Sequence, residues 1–294
     1  MAAATVGLIG TGDMGSAVGA ALVAAGYEVI TDLSERSAHS RRLAEIARLT
    51  DVQSLRAVVE RADLILSIVP PAAAPAVAER VADAMSAAGR RPVFADCNAV
   101  SPSTARAIAR LFDPEAFIDA GIVGRAPRAR VAGSTRVYAS GEARAALLGL
   151  AVPELALIDM GPEVGRASAI KMMYASLNKG TDALHAAALL AAERLGVRAE
   201  LMEELERSQK EALRRMTERV PFMAAVAERF VGEMHEIAAT YESAGLTPDF
   251  HRGAAWLFER LAATPLARET RAAQPAQRSL DEALAVFVAA LPGT

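Results

Sequence analysis

The fold of this 294-residue chain is decided near its N-terminus by Gly7-Leu8-Ile9-Gly10-Thr11-Gly12-Asp13-Met14-Gly15. Its later glycines form a G-x-G-x-x-G pattern that follows a short apolar run and opens an alanine-rich segment of helical periodicity. In a strand–turn–helix unit such glycines allow a tight turn, the approach of a pyrophosphate to backbone N–H groups, and close packing of helix on strand. The pattern predicts a dinucleotide-binding loop, which we call the glycine loop. Its cofactor-binding residues are Gly10, Thr11, Gly12, Asp13, Met14 and Gly15.

Short apolar runs alternate with segments of helical periodicity from this loop to about residue 159. This alternation is typical of βαβ units, which build a mostly parallel sheet. The predicted strands cover residues 6–9, 28–31, 64–69, 93–96, 117–120, 137–139 and 156–158. The first part of the chain is therefore predicted to be an α/β Rossmann domain that extends over residues 1–162.

The second part of the chain carries no strand signal. Residues 166–195 contain no proline and a single glycine, Gly180, so they are predicted to form one helix of about 30 residues and about 45 Å. Further segments of helical periodicity follow as far as residue 290. The sequence thus predicts an all-α domain over residues 163–294, joined to the Rossmann domain by a long interdomain helix.

The composition excludes several kinds of partner. The formal net charge of −3 does not provide the basic surface that nucleic acids and anionic membranes require. No apolar stretch reaches the roughly 20 residues of a spanning helix, and nothing resembles a signal peptide. A single cysteine, Cys97, cannot form an internal disulfide. We expect a cytoplasmic protein that binds a small-molecule substrate and has no nucleic acid, membrane or metal partner.

The residues after the second predicted strand leave the choice between NAD and NADP open. An acidic residue about 20 positions beyond the glycine loop binds the ribose 2′-hydroxyl of NAD in this fold, and Asp32 lies in that region. Side chains alternate between the faces of a strand, so a displacement of one residue would turn this carboxylate away. Arg36 could instead hold a 2′-phosphate, unless the flanking serines only cap the next helix. The sequence favours NADP(H), with NAD(H) as the alternative, and predicts three cofactor-binding residues here: Ser34, Arg36 and Ser37.

Lysine is rare in this chain, since only three of its 32 basic residues are lysines. Lys171 begins a series of polar residues at intervals of three and four, which lie on one face of the predicted long helix. Burial can shift the pKa of a lysine into the working range, whereas arginine stays charged. The pattern predicts Lys171 as a proton-transfer group, the alternative being the solvated face of an amphipathic helix. The series consists of Lys171, Tyr174, Asn178, Asp182 and His185.

Four motifs, in this order along the chain, resemble the β-hydroxyacid dehydrogenase superfamily, which includes 6-phosphogluconate dehydrogenase. They are the glycine loop, Ser67-Ile68-Val69-Pro70-Pro71, Asp96-Cys97-Asn98-Ala99-Val100-Ser101-Pro102 and Gly161…Gly165…Lys171. The chain is similar to a branch of this superfamily with a distinct helical C-terminal domain and an uncertain substrate. The resemblance implies a nicotinamide cofactor, dehydrogenase activity on a CH–OH group and a homodimer formed through the helical domain.

The resemblance also implies roles for individual residues. Val69 and Pro70 would border the nicotinamide, Asn98 would contact the substrate, and Lys171 would be the general acid/base. Three departures from the family pattern concern the substrate side of the site. They are Asn98-Ala99 in place of a Ser-Thr pair, Val123-Gly124-Arg125 in place of a Ser-Gly-Gly turn, and Tyr174 in place of an asparagine.

These observations together predict an NADP(H)-dependent oxidoreductase that transfers hydride between nicotinamide and a hydroxyl or carbonyl group of a small, polar, acidic substrate. Besides Lys171, the expected catalytic residues are Asn98 and Asn178, which would orient oxygens, and Tyr174, which would line the pocket or relay a proton. Arg125 is a candidate for binding a substrate carboxylate. Two alternatives stay open: an NADPH-dependent imine reductase, a group whose members usually lack the lysine, and a non-catalytic nucleotide-sensing protein.

Overall fold

The structure is a computed structural model that describes residues 4–269 and 278–292. The chain divides into two compact units, residues 1–172 and residues 173–294, which we call unit 1 and unit 2. The sequence places this boundary after residue 162, ten residues earlier. The division lies inside a helix, because the first turns of that helix pack against the sheet of unit 1.

Unit 1 is built on one eight-stranded sheet. Its strands are β1 (Thr5–Ile9), β2 (Glu28–Thr31), β3 (Thr50–Asp51), β4 (Leu64–Ser67), β5 (Val93–Asp96), β6 (Phe117–Val123), β7 (Thr135–Ser140) and β8 (Leu155–Asp159). They lie in the order β3-β2-β1-β4-β5-β6-β7-β8. All neighbouring strands are parallel except β6 and β7, which are antiparallel. The mostly parallel Rossmann sheet predicted from the sequence is confirmed.

Helices connect the strands and cover the sheet. They are α1 (Asp13–Ala24), α2 (Ala38–Ile46), α3 (Leu55–Arg61), α4 (Ala74–Ala88), α5 (Pro102–Ala109) and α6 (Ala145–Leu148). Three of them begin after a serine whose hydroxyl accepts a backbone N–H three residues further on, which satisfies a donor that the helix itself leaves free. These serines are Ser37 before α2, Ser54 before α3 and Ser101 before α5.

The sheet is buried on both faces, as is usual for parallel sheets. Consecutive residues of β4 show this, because side chains alternate along a strand. Leu64 and Leu66 belong to one buried apolar cluster, and Ile65 between them belongs to another. Polar side chains are nevertheless buried at the carboxyl ends of β4 and β5, among them Ser67, Asp96 and Asn98.

A continuous helical run crosses the boundary between the units. It consists of α7 (Arg166–Ala175), a π-helical turn (Ser176–Gly180) and α8 (Thr181–Leu195). The long helix predicted over residues 166–195 is thus present, but the widened turn interrupts its regular spacing. Because a π turn holds more residues than an α turn, side chains spaced three and four apart across it do not stay on one face.

Unit 2 is helical throughout its described residues, 173–269 and 278–292. After α8 it contains α9 (Arg198–Ser208), α10 (Lys210–Arg219), α11 (Ala224–Ser243), α12 (Asp249–Ala262) and α13 (Leu280–Ala289). The long helices α11 and α12 pack on each other, with Phe230 and Phe258 in an edge-to-face contact at 5.3 Å between ring centroids. The predicted all-α second domain is confirmed. Within the described residues, no helix combines the length and the apolar character needed to cross a membrane.

Candidate active site

The glycine loop joins β1 to α1, and its glycines differ in how much space surrounds them. Gly10 has a φ of +97°, and a Cβ at this position would lie 2.2 Å from the carbonyl oxygen of Ile68. A Cβ at Gly15 would lie 1.9 Å from the carbonyl oxygen of Gly10. A Cβ at Gly12, in contrast, would meet no atom within 4 Å. The fold itself requires Gly10 and Gly15, whereas Gly12 is explained by a ligand that approaches the backbone.

The first turn of α1 also has the properties of an anion site. Gly12 precedes the helix and offers no side chain to cap it, so the first N–H groups and the positive end of the helix dipole are available to a ligand. Thr11 is buried, and its hydroxyl has no hydrogen-bond partner among the described residues. A buried polar atom without a partner favours a bound group. These features fit the pyrophosphate of a dinucleotide.

The turn after β2 is held by side-chain to backbone contacts. The Asp32 carboxylate accepts the Ser34 N–H at 2.9 Å. Arg41 donates to the backbone oxygens of Ser34 and Arg36, at 2.8 and 3.0 Å. Ser37 is the N-cap of α2, so its hydroxyl has the capping role that the sequence leaves open as an alternative to phosphate binding. Binding of a 2′-phosphate by Ser34 and Arg36 stays a prediction.

Asn98 links the ends of β4 and β5 by both groups of its side-chain amide. Its Oδ1 accepts the Val69 N–H at 2.6 Å, and its Nδ2 donates to the Ser67 hydroxyl at 3.2 Å and to the Asp96 carboxylate. The side chain is only 3% exposed. These contacts give Asn98 a role in holding the loop at Val69 and Pro70. The predicted contact of Asn98 with a substrate stays a prediction.

Asp119 is a buried carboxylate in the middle of β6, and sequence reasoning missed it. It accepts hydrogen bonds from the Ser140 hydroxyl at 2.8 Å, the Gly165 N–H at 2.8 Å, and Ser168 through its N–H at 3.2 Å and its hydroxyl at 2.6 Å. Gly165 directly precedes α7, and Ser168 lies in its first turn. Asp119 therefore fixes the first turn of the helix that carries Lys171. The signal is an aspartate inside an otherwise apolar strand, which must find donors within the protein.

Lys171 lies over the end of β6, where α7 approaches the strand closely. A Cβ at Gly121 would lie 2.6 Å from the Ala167 carbonyl oxygen and 3.1 Å from the Lys171 Cβ, so only glycine permits this approach. The half-buried Lys171 donates through Nζ to the carbonyl oxygen of Ile122 at 2.6 Å. One ammonium N–H is thereby directed into the protein.

Asp96 lies between Ser67 and Asp119 in the register of the sheet. Burial, followed by the charge of Asp119, raises the pKa of Asp96 to about 7, against the lowering effects of Asn98 and Lys171. Its Oδ2 has no hydrogen-bond partner among the described residues. Asp96 is thus a carboxyl group that exchanges a proton near neutral pH. Its neighbour Cys97 is inert in comparison, because burial raises the pKa of the thiol.

In unit 2, the polar residues that follow Lys171 in the predicted series have structural partners. Asp182 is 2% exposed and forms ion pairs with Arg215 at 2.8 Å and Arg219 at 2.6 Å. Arg215 also donates to the backbone oxygen of Asn178 at 2.8 Å. These contacts join the start of α8 to α10. These contacts give Asp182 and Asn178 a structural reason to be polar, although their spacing is also that of a functional face. The catalytic role of Asn178 stays a prediction.

The remaining side chains of the series differ in environment. Tyr174 is 46% exposed, and its predicted role in a pocket wall or a proton relay also stays a prediction. Burial, then the charge of Arg215, lowers the pKa of His185, which favours its neutral form. Lys179 forms an ion pair with Glu233. Lys179 is therefore part of the packing of unit 2, in contrast to Lys171.

Comparison with known families agrees with this geometry. Residues 5–148 match the family model described as the NAD binding domain of 6-phosphogluconate dehydrogenase, and residues 192–261 match a domain of unknown function (DUF1932). Residues 5–148, which belong to unit 1, are thus similar to the NAD binding domain of 6-phosphogluconate dehydrogenase. The predicted resemblance to a branch with a distinct helical C-terminal domain is thereby confirmed.

Most of the chain is also similar to proteins of known structure. One is a conserved protein of unknown function with structural similarity to 3-hydroxyacid dehydrogenases, at 29% identity over 87% of this chain and 96% of that one, with a TM-score of 0.63. At 21% identity, the fold is shared with the 3-hydroxyisobutyrate dehydrogenase of Mycobacterium tuberculosis (89% and 94% covered, TM-score 0.63) and an imine reductase of Streptomyces aurantiacus (87% and 93%, TM-score 0.50). The chain has the NAD-binding domain and the fold of NAD(P)-dependent dehydrogenases that act on CH–OH groups.

The NAD-binding domain meets the chemical requirements of its cofactor. The space beside Gly12, the unpartnered hydroxyl of Thr11 and the uncapped start of α1 all fit a pyrophosphate. Across residues 4–269 and 278–292, no three His, Cys, Asp or Glu side chains form a group able to hold a metal ion.

Proposed function

We propose that the protein is an NADP(H)-dependent oxidoreductase that transfers hydride between nicotinamide and a hydroxyl or carbonyl group of a small, polar, acidic molecule. The observation that carries this proposal is the placement of Lys171. The half-buried Lys171 amine donates to the Ile122 carbonyl, and the helix that carries Lys171 is held by Asp119 through Ser168 and by the close approach at Gly121. A surface lysine would need none of these contacts.

The cofactor side of the site would be formed by the glycine loop and the end of β4. Residues 11–15 would hold the pyrophosphate, and Val69 and Pro70 would border the nicotinamide, with the Val69 backbone held by Asn98. When bound, NADP supplies a hydride acceptor and NADPH a hydride donor.

Lys171 would move the proton of the reaction. In the direction of oxidation, the C–H hydrogen leaves the substrate carbon with the electron pair of the bond, as hydride, and the hydroxyl proton passes to the Lys171 Nζ in its uncharged amine form. In the direction of reduction, Nζ returns that proton to the carbonyl oxygen. The hydrogen bond to Ile122 fixes the position of Nζ, which general acid/base catalysis requires. Arg125 remains a candidate for binding a substrate carboxylate.

A preference for NADP(H) is supported by the turn after β2. Arg36 lines a cleft there together with Asp32, and Arg36 has no ion pair within the described residues. A free guanidinium matches a phosphate well, because its N–H groups can bind two phosphate oxygens. NAD(H) is the alternative, since Asp32 uses only one carboxylate oxygen for Ser34 and could offer the other to a ribose hydroxyl.

Replacement of Lys171 tests the proposed chemistry. Lys171→Met should leave the Kd of NADPH within about twofold and lower kcat by at least about 10³-fold, because general acid/base catalysis and positioning are both lost. The matched control is Lys210→Met, since Lys210 is exposed and its ion pair among the described residues is with Glu206, one turn away. Near-normal turnover by Lys171→Met would refute the assignment.

The activity itself is found by following NADPH at 340 nm with a panel of hydroxyacids, ketoacids, polyols, cyclic imines and amine–ketone mixtures. Turnover of a hydroxyacid or a ketoacid supports the proposal. Turnover of imines alone, unchanged in Lys171→Met, would favour an imine reductase. Binding of NADPH without turnover of any compound would favour a nucleotide-sensing protein.

We also propose a homodimer formed through unit 2, as the family resemblance implies. Helices α8 and α12 line an apolar groove of about 610 Å³, whose walls include the small residues Ala187 and Ala254. The large side chains of Leu184 and Phe250 beside it are 68% and 76% exposed. Protrusions and a groove on one face allow two identical faces to fit each other around a twofold axis. Leu184→Glu should convert a dimer into a monomer in light scattering, and an unchanged mass would refute this interface.

A further inference from the structure

The cleft at Arg36 contains a second arginine, which comes from a different element. Arg80 lies on α4, beyond β4, and lines the cleft together with Asp32 and Arg36. The apolar part of the cleft consists of Leu8, Ile9, Leu55 and Val77. Two guanidinium groups therefore approach one narrow space from different parts of unit 1. The sequence pattern around the glycine loop indicates Arg36 but not Arg80, which lies 44 positions further along the chain.

Arg80 has only a weak partner in the structure. Its Nη2 lies 3.9 Å from the Glu35 carboxylate, and the two side chains are 56% and 80% exposed. Exposed ion pairs at such distances contribute little to stability, so Arg80 can leave Glu35 at small cost. Glu35 lies next to Arg36 in the turn after β2. The cleft is thus lined by two arginines and by Asp32, and Glu35 is the partner of one of these arginines.

We propose that Arg80 is a second residue for recognition of the adenosine 2′-phosphate, and that Glu35 competes with this phosphate for the Arg80 guanidinium. The inference rests on the proposed preference for NADP(H). Near neutral pH a phosphate monoester carries up to two negative charges, which two arginines can bind through charge-assisted hydrogen bonds. NADH has a hydroxyl at this position, so neither arginine gains an ionic partner from it.

The two residues have opposite effects on the same equilibrium. Loss of Arg80 removes an attraction that only NADPH has. Loss of the Glu35 charge removes a repulsion that only the phosphate feels, and it also frees Arg80 from its competing partner. The affinity for NADPH should therefore fall in the first case and rise in the second, while the affinity for NADH stays the same in both.

The test is a direct measurement of cofactor binding, by isothermal titration calorimetry with NADPH and with NADH at one fixed ionic strength. Arg80→Ala should raise the Kd of NADPH about tenfold, the loss of one charge-assisted hydrogen-bonding group, and leave the Kd of NADH within twofold. Glu35→Gln should lower the Kd of NADPH about threefold. In the Arg80→Ala background, Glu35→Gln should lower the Kd of NADPH by less than threefold, because only the relief of the direct repulsion remains once Arg80 is absent.

The matched control is Arg91→Ala, which removes an exposed arginine whose partner, Asp113, is not part of the cleft. Equal losses of NADPH and NADH affinity in Arg80→Ala would show that Arg80 stacks on the adenine, and would overturn the inference. An unchanged or weaker NADPH affinity in Glu35→Gln would also overturn it. If the wild-type protein binds NADH as tightly as NADPH, the proposed NADP preference is refuted. This measurement on the wild type alone distinguishes failure of the preference from failure of the roles proposed for Arg80 and Glu35.

Discussion

Two buried aspartates in different units are stabilised by different kinds of partner. Asp119 in unit 1 is bound by N–H and O–H donors, several of them from the first turn of α7. Asp182 in unit 2 is bound by Arg215 and Arg219 of α10. The first arrangement positions a helix that carries Lys171, whereas the second neutralises a charge where two helices pack. A carboxylate held by neutral donors thus indicates which element is being positioned, and a carboxylate held by arginines indicates a packing contact.

The largest loss of stability is expected from Asp119→Ala. This change leaves the N–H groups of Gly165 and Ser168 buried without an acceptor, which should lower the free energy of unfolding by about 4 kcal/mol. It should also lower kcat at least about 100-fold, because α7 no longer holds Lys171 in place. Urea unfolding and NADPH oxidation measure the two losses.

Asp113→Ala is the control for this change, since Asp113 is exposed and, in the part of the chain that the structure describes, forms its ion pair with Arg91. It should change stability by less than about 0.5 kcal/mol. A milder variant, Ser168→Ala, removes the hydroxyl contact and should cost about 1 kcal/mol. A fully stable and active Asp119→Ala would mean that α7 is positioned without this carboxylate.

Asp182→Ala tests the other side of the comparison. It leaves two partly exposed arginines without their acceptor, so we expect a loss of about 3 kcal/mol in the free energy of unfolding. At temperatures where the variant stays folded, the Kd of NADPH and the pH dependence of kcat should match those of the wild type. Asp249→Ala, an exposed aspartate of α12, is the control. A shifted pH profile in Asp182→Ala would assign this residue to the chemistry after all.

Gly121→Ala separates the position of Lys171 from the capping of α7. The added Cβ would lie 2.6 Å from the Ala167 carbonyl oxygen, so α7 must move, at a cost of about 2 kcal/mol. The expected result is a lower kcat with an unchanged Kd of NADPH, because the glycine loop is not touched. Gly232→Ala is the control, since a Cβ there meets nothing within 4 Å. Equal kcat values would show that small shifts of α7 do not affect catalysis.

Much of the fold could be predicted from the sequence, because its signals are local. The glycine loop, the alternation of strands and helices, and the change to helices alone each depend on residues close together in the chain. The same holds for Lys171 as a candidate, since its rarity and its spacing are visible in one segment.

The rest of the site depends on contacts between distant residues. The spacing from Lys171 to Asp182 is that of one helical face, but the π turn interrupts it, and the partners of Asp182 lie more than 30 residues away on α10. The amide of Asn98 is used by Val69 of the neighbouring loop, and Arg80 reaches the cleft at Arg36 from α4. Such pairings depend on the order of the strands and the packing of the helices. The periodicity of one segment carries no information about either.

The smallest effect, and the one most specific to unit 1, is expected from Asp96→Asn. The pKa of Asp96 is raised from 3.8 to about 7, so the native state binds this proton more tightly than the unfolded chain does. The contribution of Asp96 to the free energy of unfolding therefore falls as the pH rises from about 4 to 8, and about 1 kcal/mol of this fall lies between pH 6 and 8. Asparagine keeps the acceptor for Asn98 and places its amide nitrogen where Oδ2 has no partner. Urea unfolding at pH 6 and 8 should show this pH-dependent loss in the wild type and not in Asp96→Asn, and an identical pH dependence in both would mean that Asp96 does not titrate in this range.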